Sequence, residues 1–183
     1  GTARKTASLS AWLTSNVGRG TGGGSGTLSN GMPNAAATDA AAGNMRAATE
    51  VLMKPVLQSM WSNGGDPRFI MVGPFNKGAV SAFAGIAAQR YMAPSDSPTT
   101  IIGAADVYMS DFGSVQIVPN RFSRERDMYM IDPDMVELVT LRPMAVTELA
   151  KTGDASKFMT LFEGGLQVNN EAGLGVLADL TTS

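Results

Sequence analysis

The sequence of 183 residues predicts an α+β protein of one domain, or of two small interleaved ones. Helical apolar spacing dominates the first half of the chain, and strand-like alternation replaces it after Pro98. Hydrophobic residues make up 44% of the chain and charged residues only 16%. This composition is globular and excludes an intrinsically disordered chain.

Two missing residue types limit the chemistry that the chain could perform. The sequence has no Cys and no His, which excludes disulfides, thiolate catalysis, Cys-based zinc sites and Ser-His or Cys-His nucleophile systems. Any catalysis would have to use carboxylate, Lys, Tyr or backbone groups. We therefore expect no catalytic residue, no cofactor site and no metal site.

The net charge and the apolar pattern of the sequence limit the partners that the chain could bind, DNA and membranes in particular. Lys plus Arg number 14 and Asp plus Glu 16, a formal net charge of −2, so at most nonspecific contact with DNA is expected. No apolar run is long enough to span a membrane, and no signal peptide is visible. The first residue is not Met, and we interpret it as a processing or trimming boundary.

The N-terminal third predicts a short helix, a loop and a long helix. Residues 8–17 have near-helical apolar spacing, whereas residues 18–31 include seven Gly and predict a flexible surface loop. Thr38 to Asn63 predicts the best helix, with Thr38 as N-cap, Asp39 in the first turn and Asn-Gly-Gly as the stop signal. Pro55 predicts a kink or a break. The apolar face comprises Met45, Ala48, Leu52, Val56 and Met60.

The next segments predict a central strand followed by a second helix. Arg68 to Val72 is a short apolar run typical of a strand buried on both faces. Gly73-Pro74 ends it and begins a helix, because Pro suits the first helical turn. The buried stripe of that helix is predicted to be Phe75, Ala79, Phe83 and Ala87.

Short strands occupy the rest of the chain. The turn Asp111-Phe112-Gly113 predicts a hairpin, and Asp132-Pro133-Asp134 predicts a second turn. In the longest strand, Phe158 to Val168, Phe158, Thr160 and Phe162 lie on one face, and Met159 and Leu161 on the other. The predicted strands are Asp106–Ser110, Ser114–Val118, Met128–Ile131, Val136–Leu141, Phe158–Val168 and Ala172–Leu180.

Three short motifs resemble nucleotide or magnesium sites but lack the parts that the chemistry requires. Gly18-x-Gly20-x-x-Gly23 has no strand before it and no helix directly after it. The spacing Gly73 to Gly78 lacks the Lys and Ser/Thr of a phosphate loop. Asp111-Phe112-Gly113 spells a kinase tripeptide, but the chain has no His for a catalytic loop. We interpret all three as loops or turns.

Side-chain clusters offer two further hypotheses. The carboxylates of Asp127, Asp132, Asp134 and Glu137 could hold calcium or magnesium, but without EF-hand spacing a turn is the simpler interpretation. The cluster of Arg121, Arg124 and Arg126 alternates with Glu125 and Asp127, which indicates ion pairs or an intersubunit contact. Among twelve methionines, Met45, Met60, Met71 and Met159 are predicted to fill core space.

Four long segments carry a family resemblance that covers nearly the whole chain. They are RKTASLSAWLTSNV (Arg4 to Val17), VGPFNKGAVSAFAG (Val72 to Gly85), VYMSDFGSVQIVPNRFSRERDMYMIDPDMVELVTLRPM (Val107 to Met144) and ELAKTGDASKFMTLFEGGLQVNNEAGLGVLADL (Glu148 to Leu180). In their order, they resemble a tailed-phage major capsid protein of the Hong Kong 97-like fold, in the branch of phages such as SU10. No single short motif is diagnostic.

The resemblance implies a division of the chain into two domains. Residues 38–144 and 170–183 would form the axial domain, a mixed sheet with flanking helices. Residues 1–37 and 145–169 would belong to an elongated peripheral domain, with the Gly-rich loop joining the two. Relatives carry an N-terminal arm, an extended β loop and most of a spine helix before the segment that matches Arg4, so the chain resembles a C-terminal portion that lacks them.

The resemblance also implies the function. The chain would be a structural shell protein of a tailed bacteriophage or prophage, made in the host cytoplasm and located in the virion capsid. It would form pentamers and hexamers around double-stranded DNA, with a scaffold, a maturation protease and a portal as possible partners. Two alternatives stay open: an encapsulin-like bacterial compartment, and an α/β enzyme with carboxylate acid-base chemistry. None of the five lysines belongs to a motif for covalent crosslinking.

Overall fold

A mixed six-stranded sheet forms the centre of the structure, a computed structural model that describes residues 6–83, 107–151 and 153–182. The α-helices are α1 (Leu9–Trp12), α2 (Glu50–Ser62) and α3 (Pro74–Ser81). The strands are β1 (Val17–Gly18), β2 (Thr27–Ser29), β3 (Met32–Ala35), β4 (Phe69–Val72), β5 (Val107–Ser110), β6 (Gly113–Pro119), β7 (Met128–Ile131), β8 (Val136–Leu149), β9 (Lys157–Val168) and β10 (Gly175–Leu177).

The strands of the central sheet follow the order β1-β10-β7-β4-β6-β5. Two pairs are parallel, β1 with β10 and β4 with β6, and the other neighbours are antiparallel. β2 with β3 and β8 with β9 form two separate antiparallel hairpins. This mixed sheet with helices confirms the predicted α+β class.

The hydrophobic core lies on both faces of the central sheet. In β7, Met128 and Met130 belong to the larger cluster, under α2 and α3, and Tyr129 belongs to the smaller cluster on the opposite face. This alternation follows from the two-residue period of a strand. The larger cluster includes Met53, Leu57, Met60, Ile70, Val72, Val80, Tyr108, Val115 and Ile117.

Several predicted elements are confirmed. β4 is central in the sheet, and its Ile70 and Val72 are fully buried. β5 and β6 form the predicted hairpin, with Ser110 opposite Gly113. α3 begins at Pro74, and α2 ends at the predicted stop signal, where Gly64 adopts a left-handed conformation with φ +84°. Asp106, at the start of the predicted hairpin, lies outside the described residues.

The predicted start of the long helix at Thr38 is wrong, because α2 begins at Glu50. Upstream, Thr38 and Gly24 exchange two backbone hydrogen bonds, and the Arg46 N–H donates to the carbonyl of Asp179. These tertiary contacts occupy groups that a helix would use, so residues 38–49 have two isolated bridges and one 3-10 turn in place of a helix. The helix continues through Pro55, so the predicted break is wrong, and a kink at this residue stays a prediction.

The predicted stripe of α3 is also wrong in part. Phe75 is exposed, whereas Asn76 and Val80 are buried. The Asn76 side chain donates a hydrogen bond to the backbone carbonyl of Glu125, which turns that face of the helix inward. Phe83 is buried as predicted, and Ala87 lies outside the described residues.

The last strands have other lengths than predicted. β8 continues past Leu141 to Leu149, because its partner β9 is long enough to pair with it throughout. The final strand, predicted over residues 172–180, is shortened to β10, because a 3-10 turn occupies Glu171–Gly173. Met159, predicted in the core, is 44% exposed on β9, whereas Met60 is fully buried.

The packing of α2 gives a direct test of where the core lies. Met53 is fully buried and Val51 is largely exposed on the same helix. We predict that Met53→Ala lowers the free energy of unfolding by about 2–5 kcal/mol, because it leaves a cavity. The control Val51→Ala should change it by less than about 0.5 kcal/mol. Urea unfolding measures both, and equal losses would contradict the described orientation of α2.

Candidate intersubunit surface

The β8–β9 hairpin is a long ribbon outside the central sheet, and Val136 and Val168 at its base pack against the smaller core cluster. Its register extends from Val136 opposite Val168 to Leu149 opposite Lys157. Within the described ranges, β8 and β9 pair only with each other. The chain builds the ribbon by alternating residues along both strands, so that neighbouring side chains point to opposite faces.

Both faces of the ribbon expose large apolar side chains to solvent. Phe158 and Phe162 share one face, whereas Met159 and Leu161 share the other, as their alternation predicted. Ten large apolar residues of the hairpin are each more than a third exposed: Leu138, Val139, Leu141, Met144, Val146, Leu149, Phe158, Met159, Leu161 and Phe162. A contiguous apolar surface of this kind is typical of a protein-protein interface.

A groove of about 850 Å³ lies where the ribbon meets the N-terminal segment. Val139 and Phe162 from the hairpin face Trp12 and Met32 across it. The ribbon also carries one cross-strand ion pair, with 3.2 Å between Arg142 Nε and Glu163 Oε2. The groove therefore extends the apolar surface of the hairpin, and this charged pair interrupts it.

The Gly-rich segment is fastened to the end of the chain by one buried carboxylate. Asp179 accepts hydrogen bonds from the backbone N–H groups of Gly20 and Ala40, both at 3.0 Å. Arg19 Nη1 lies 3.9 Å from Asp179 Oδ1. A Cβ at Gly23 would collide with Asp179 Oδ2, so this position favours Gly. The prediction of a surface loop that contributes little to the core is therefore wrong around Gly20, which is buried.

The three clustered arginines lie in different surroundings. Arg124 Nη2 is 2.6 Å from Asp39 Oδ2, and Arg124 Nη1 is 3.5 Å from Asp127 Oδ2, so the predicted ion pairing is present for Arg124. The hydrogen bond from Arg124 lowers the pKa of Asp39 below its ordinary value. Arg126 is half-buried, and Arg121 is exposed without an ion pair among the described residues.

The acidic cluster serves local structure. Asp127 is buried and accepts a hydrogen bond from the Tyr129 hydroxyl at 3.0 Å, and burial raises the pKa of its carboxyl. Asp132 accepts from the N–H groups of Asp66 and Asp134, as a turn residue does. In residues 6–83, 107–151 and 153–182, no three acidic side chains converge to hold a metal ion.

Each nucleotide-like motif has a structural place. The N–H of Gly20 is taken by Asp179, Gly73 is the N-cap of α3, and Asp111-Phe112 is the turn between β5 and β6. Sequence reasoning missed Asp179, because nothing in its neighbourhood along the chain marks a residue whose partners lie 139 and 159 positions away. It also placed Asp39 in a helix, whereas Asp39 binds Arg124.

Comparison with known proteins identifies the family. Residues 1–181 match the sequence model of the SU10 major capsid protein family, so the chain belongs to this family of structural capsid proteins. This membership confirms the resemblance to a major capsid protein of the SU10 branch, a family that is located in the virion capsid. No curated protein matches the chain.

Two solved shell structures are similar to the chain. A virus-like particle from Pyrococcus furiosus has 14% identity and a TM-score of 0.40, over 66% of this chain and 46% of that one. The holo-SrpI encapsulin complex from Synechococcus elongatus PCC 7942 has 15% identity and a TM-score of 0.45, over 75% and 51%. The chain thus spans about half the length of these proteins. No helix in the described part of the chain is long and apolar enough to cross a membrane.

The Asp179 contacts lead to a prediction on the Gly-rich segment. Asp179→Ala should lower the free energy of unfolding by about 2 kcal/mol or more, because two buried N–H groups lose their acceptor. Hydrogen exchange at the amides of Gly20 and Ala40 should accelerate in the variant. The control Asp154→Ala removes an exposed carboxylate and should change neither quantity. Unchanged exchange at Gly20 in Asp179→Ala would show that this carboxylate does not hold the segment.

Proposed function

We propose that this chain acts as a subunit of a tailed-phage or prophage head shell, joining copies of itself in pentamers and hexamers around double-stranded DNA. The observation that carries the proposal is the β8–β9 ribbon, whose two faces expose apolar side chains that one copy leaves uncovered. Burial of such surface drives protein association. Family membership supports the same function.

We propose that the subunit functions by binding neighbouring copies at its edges and that it catalyses no reaction. Many modest contacts acting together give a stable shell, and weak individual contacts let misplaced subunits leave. We propose no catalytic residue, cofactor or metal for this chain. The carboxylates with the strongest claim to acid-base chemistry, Asp127 and Asp132, are engaged in structural hydrogen bonds, which supports this proposal.

The proposal includes a division of the chain into an axial and a peripheral domain. Residues 38–144 and 170–183 form the axial domain, and residues 1–37 and 145–169 contribute to the peripheral domain. The position of β10 beside β7 supports the return of the C-terminal segment to the axial sheet, and the short strand β1, which comes from the range 1–37, also joins this sheet at its edge. The β8–β9 ribbon lies outside that sheet, which supports an elongated peripheral part, although its first residues, 136–144, fall inside the range given to the axial domain.

The remaining partners are proposed from the function. A scaffold, a maturation protease and a portal would act during assembly, and packaged DNA would be contacted only nonspecifically. The formal net charge of −2 is consistent with weak DNA contact. The protein would be made in the cytoplasm of the bacterial host, and no membrane takes part.

The proposed intersubunit contacts are Arg121, Arg124 and Arg126. Their surroundings determine which of them is the best candidate for a contact with a neighbouring copy. Arg124 forms ion pairs with Asp39 and Asp127 of its own copy. A neighbouring copy would therefore meet a guanidinium group that is already paired with carboxylates. Arg121 is exposed and free to grip a carboxylate of a neighbour. Arg121 is therefore the residue on which the contact hypothesis is best tested.

A charge reversal at Arg121 tests this contact. Arg121→Glu should weaken self-association about fivefold, since it replaces an attraction across the interface by repulsion. The control Arg121→Lys keeps the charge and should associate nearly as the parent does. Sedimentation velocity over a concentration series measures both. Equal association of parent and Arg121→Glu would remove Arg121 from the interface.

Electron microscopy of the full-length product tests the shell function. Expression of the full-length reading frame that contains this chain should yield closed particles of uniform size. A denaturing gel of the particles should show no covalent ladder, since no crosslinking motif is present. Particles filled with protein cargo and no genome would favour an encapsulin-like compartment. A soluble monomer at all concentrations would contradict the proposal.

A further inference from the structure

The two outer edges of the β8–β9 ribbon differ in their capacity to accept another strand. In β8, the register shifts twice between Thr140 and Ala145, which places two bulges there, and Pro143 has no N–H to donate. Such features blunt an edge against strand addition. β9 contains no Pro, and both bulges lie on its partner strand. Among the residues that the structure describes, the open edge of the ribbon is therefore that of β9.

The sequence of β9 is complementary to itself when two copies lie antiparallel. Its only charged residues, Lys157 and Glu163, are six positions apart and so share one face. Two antiparallel copies place these opposite charges against each other in one register alone. In that register the remaining pairs are Phe158 with Phe162, Met159 with Leu161, and Thr160 with itself.

Each of these pairs is favourable across antiparallel strands. Aromatic pairs, apolar pairs and opposite charges directly opposite each other all stabilise a sheet. The four apolar side chains involved are exposed in the single copy, with Phe158 at 65%. The carboxylate of Glu163, 3.2 Å from Arg142 in its own ribbon, would gain Lys157 of the second copy on its other side.

We infer that β9 is a self-pairing edge, at which two copies of the chain join β9 to β9, antiparallel, about a two-fold axis beside Thr160. The product is a four-stranded sheet ordered β8-β9-β9-β8. Its outer edges are both the blunted β8, so pairing stops at two copies and does not continue into a fibre. The inference rests on the proposed self-assembly and names the partner of this edge.

A single introduced Cys tests the pairing, because the parent chain has no Cys. Under mild oxidation, Thr160→Cys should form a covalent dimer at least about tenfold faster than the matched control, since the two-fold holds the two thiols together. The control Thr147→Cys changes the same residue type on β8, where it lies opposite Met159 of its own ribbon. Non-reducing gel electrophoresis over time measures both rates.

A charge exchange tests the register. Lys157→Glu and Glu163→Lys should each dimerise about tenfold more weakly than the parent, because like charges then face each other twice. An equimolar mixture of the two variants should dimerise about as well as the parent, since only the mixed pair restores opposite charges. Sedimentation equilibrium of each variant and of the mixture measures this.

The outcomes separate this inference from the shell function. If the parent associates, but Thr160→Cys crosslinks no faster than Thr147→Cys and mixing restores nothing, the β9 pairing is overturned and self-assembly stands. If the full-length product gives no particles and the chain stays monomeric without crosslinking, both fail. Selective crosslinking at Thr160 together with recovery in the mixture supports the pairing and its register.

Discussion

The structure depends on one constraint, the uneven distribution of apolar side chains between a sheet that can bury them and a ribbon that cannot. On one face of the central sheet, Ile70 and Met130 are covered by α2, and on the other face Tyr129 packs in the smaller cluster. A two-stranded ribbon has no second layer, so Phe158 and Met159 stay in solvent on opposite faces. The first arrangement stabilises a single copy, and under the proposed function the second would drive association between copies.

Polar contacts fasten the Gly-rich segment and the residues after it to the central sheet. Asp179 follows β10, which lies inside the sheet, and its carboxylate fixes Gly20, near the start of the Gly-rich segment, and Ala40, beyond its end. Arg124 adds a second link to the same region through Asp39. An acid titration would weaken this link as the pH falls through the lowered pKa of Asp39, because the carboxylate loses its charge there. The N-terminal part of the chain is therefore fixed to the central sheet at two points.

Local sequence signals predicted the parts of the fold that local physics determines. Pro74 set the start of α3, the Asn63 signal set the end of α2, and the alternation along β9 assigned its faces correctly. The start of α2 could not be predicted, because distant partners such as Gly24 and Asp179 bind the preceding backbone. The exposure of the ribbon could not be predicted either, because apolar alternation does not distinguish a buried strand from a strand whose apolar face is uncovered in the single copy.

Hydrogen-deuterium exchange of the full-length product, compared between dissociated subunits and assembled particles, tests the central claim most directly. The amides of β7 should be protected in both states, because the core belongs to a single copy. The outward-facing amides of β9 should exchange rapidly in the subunit and become protected in the particle. Equal exchange of β9 in the two states would contradict the claim that this ribbon is completed by other copies.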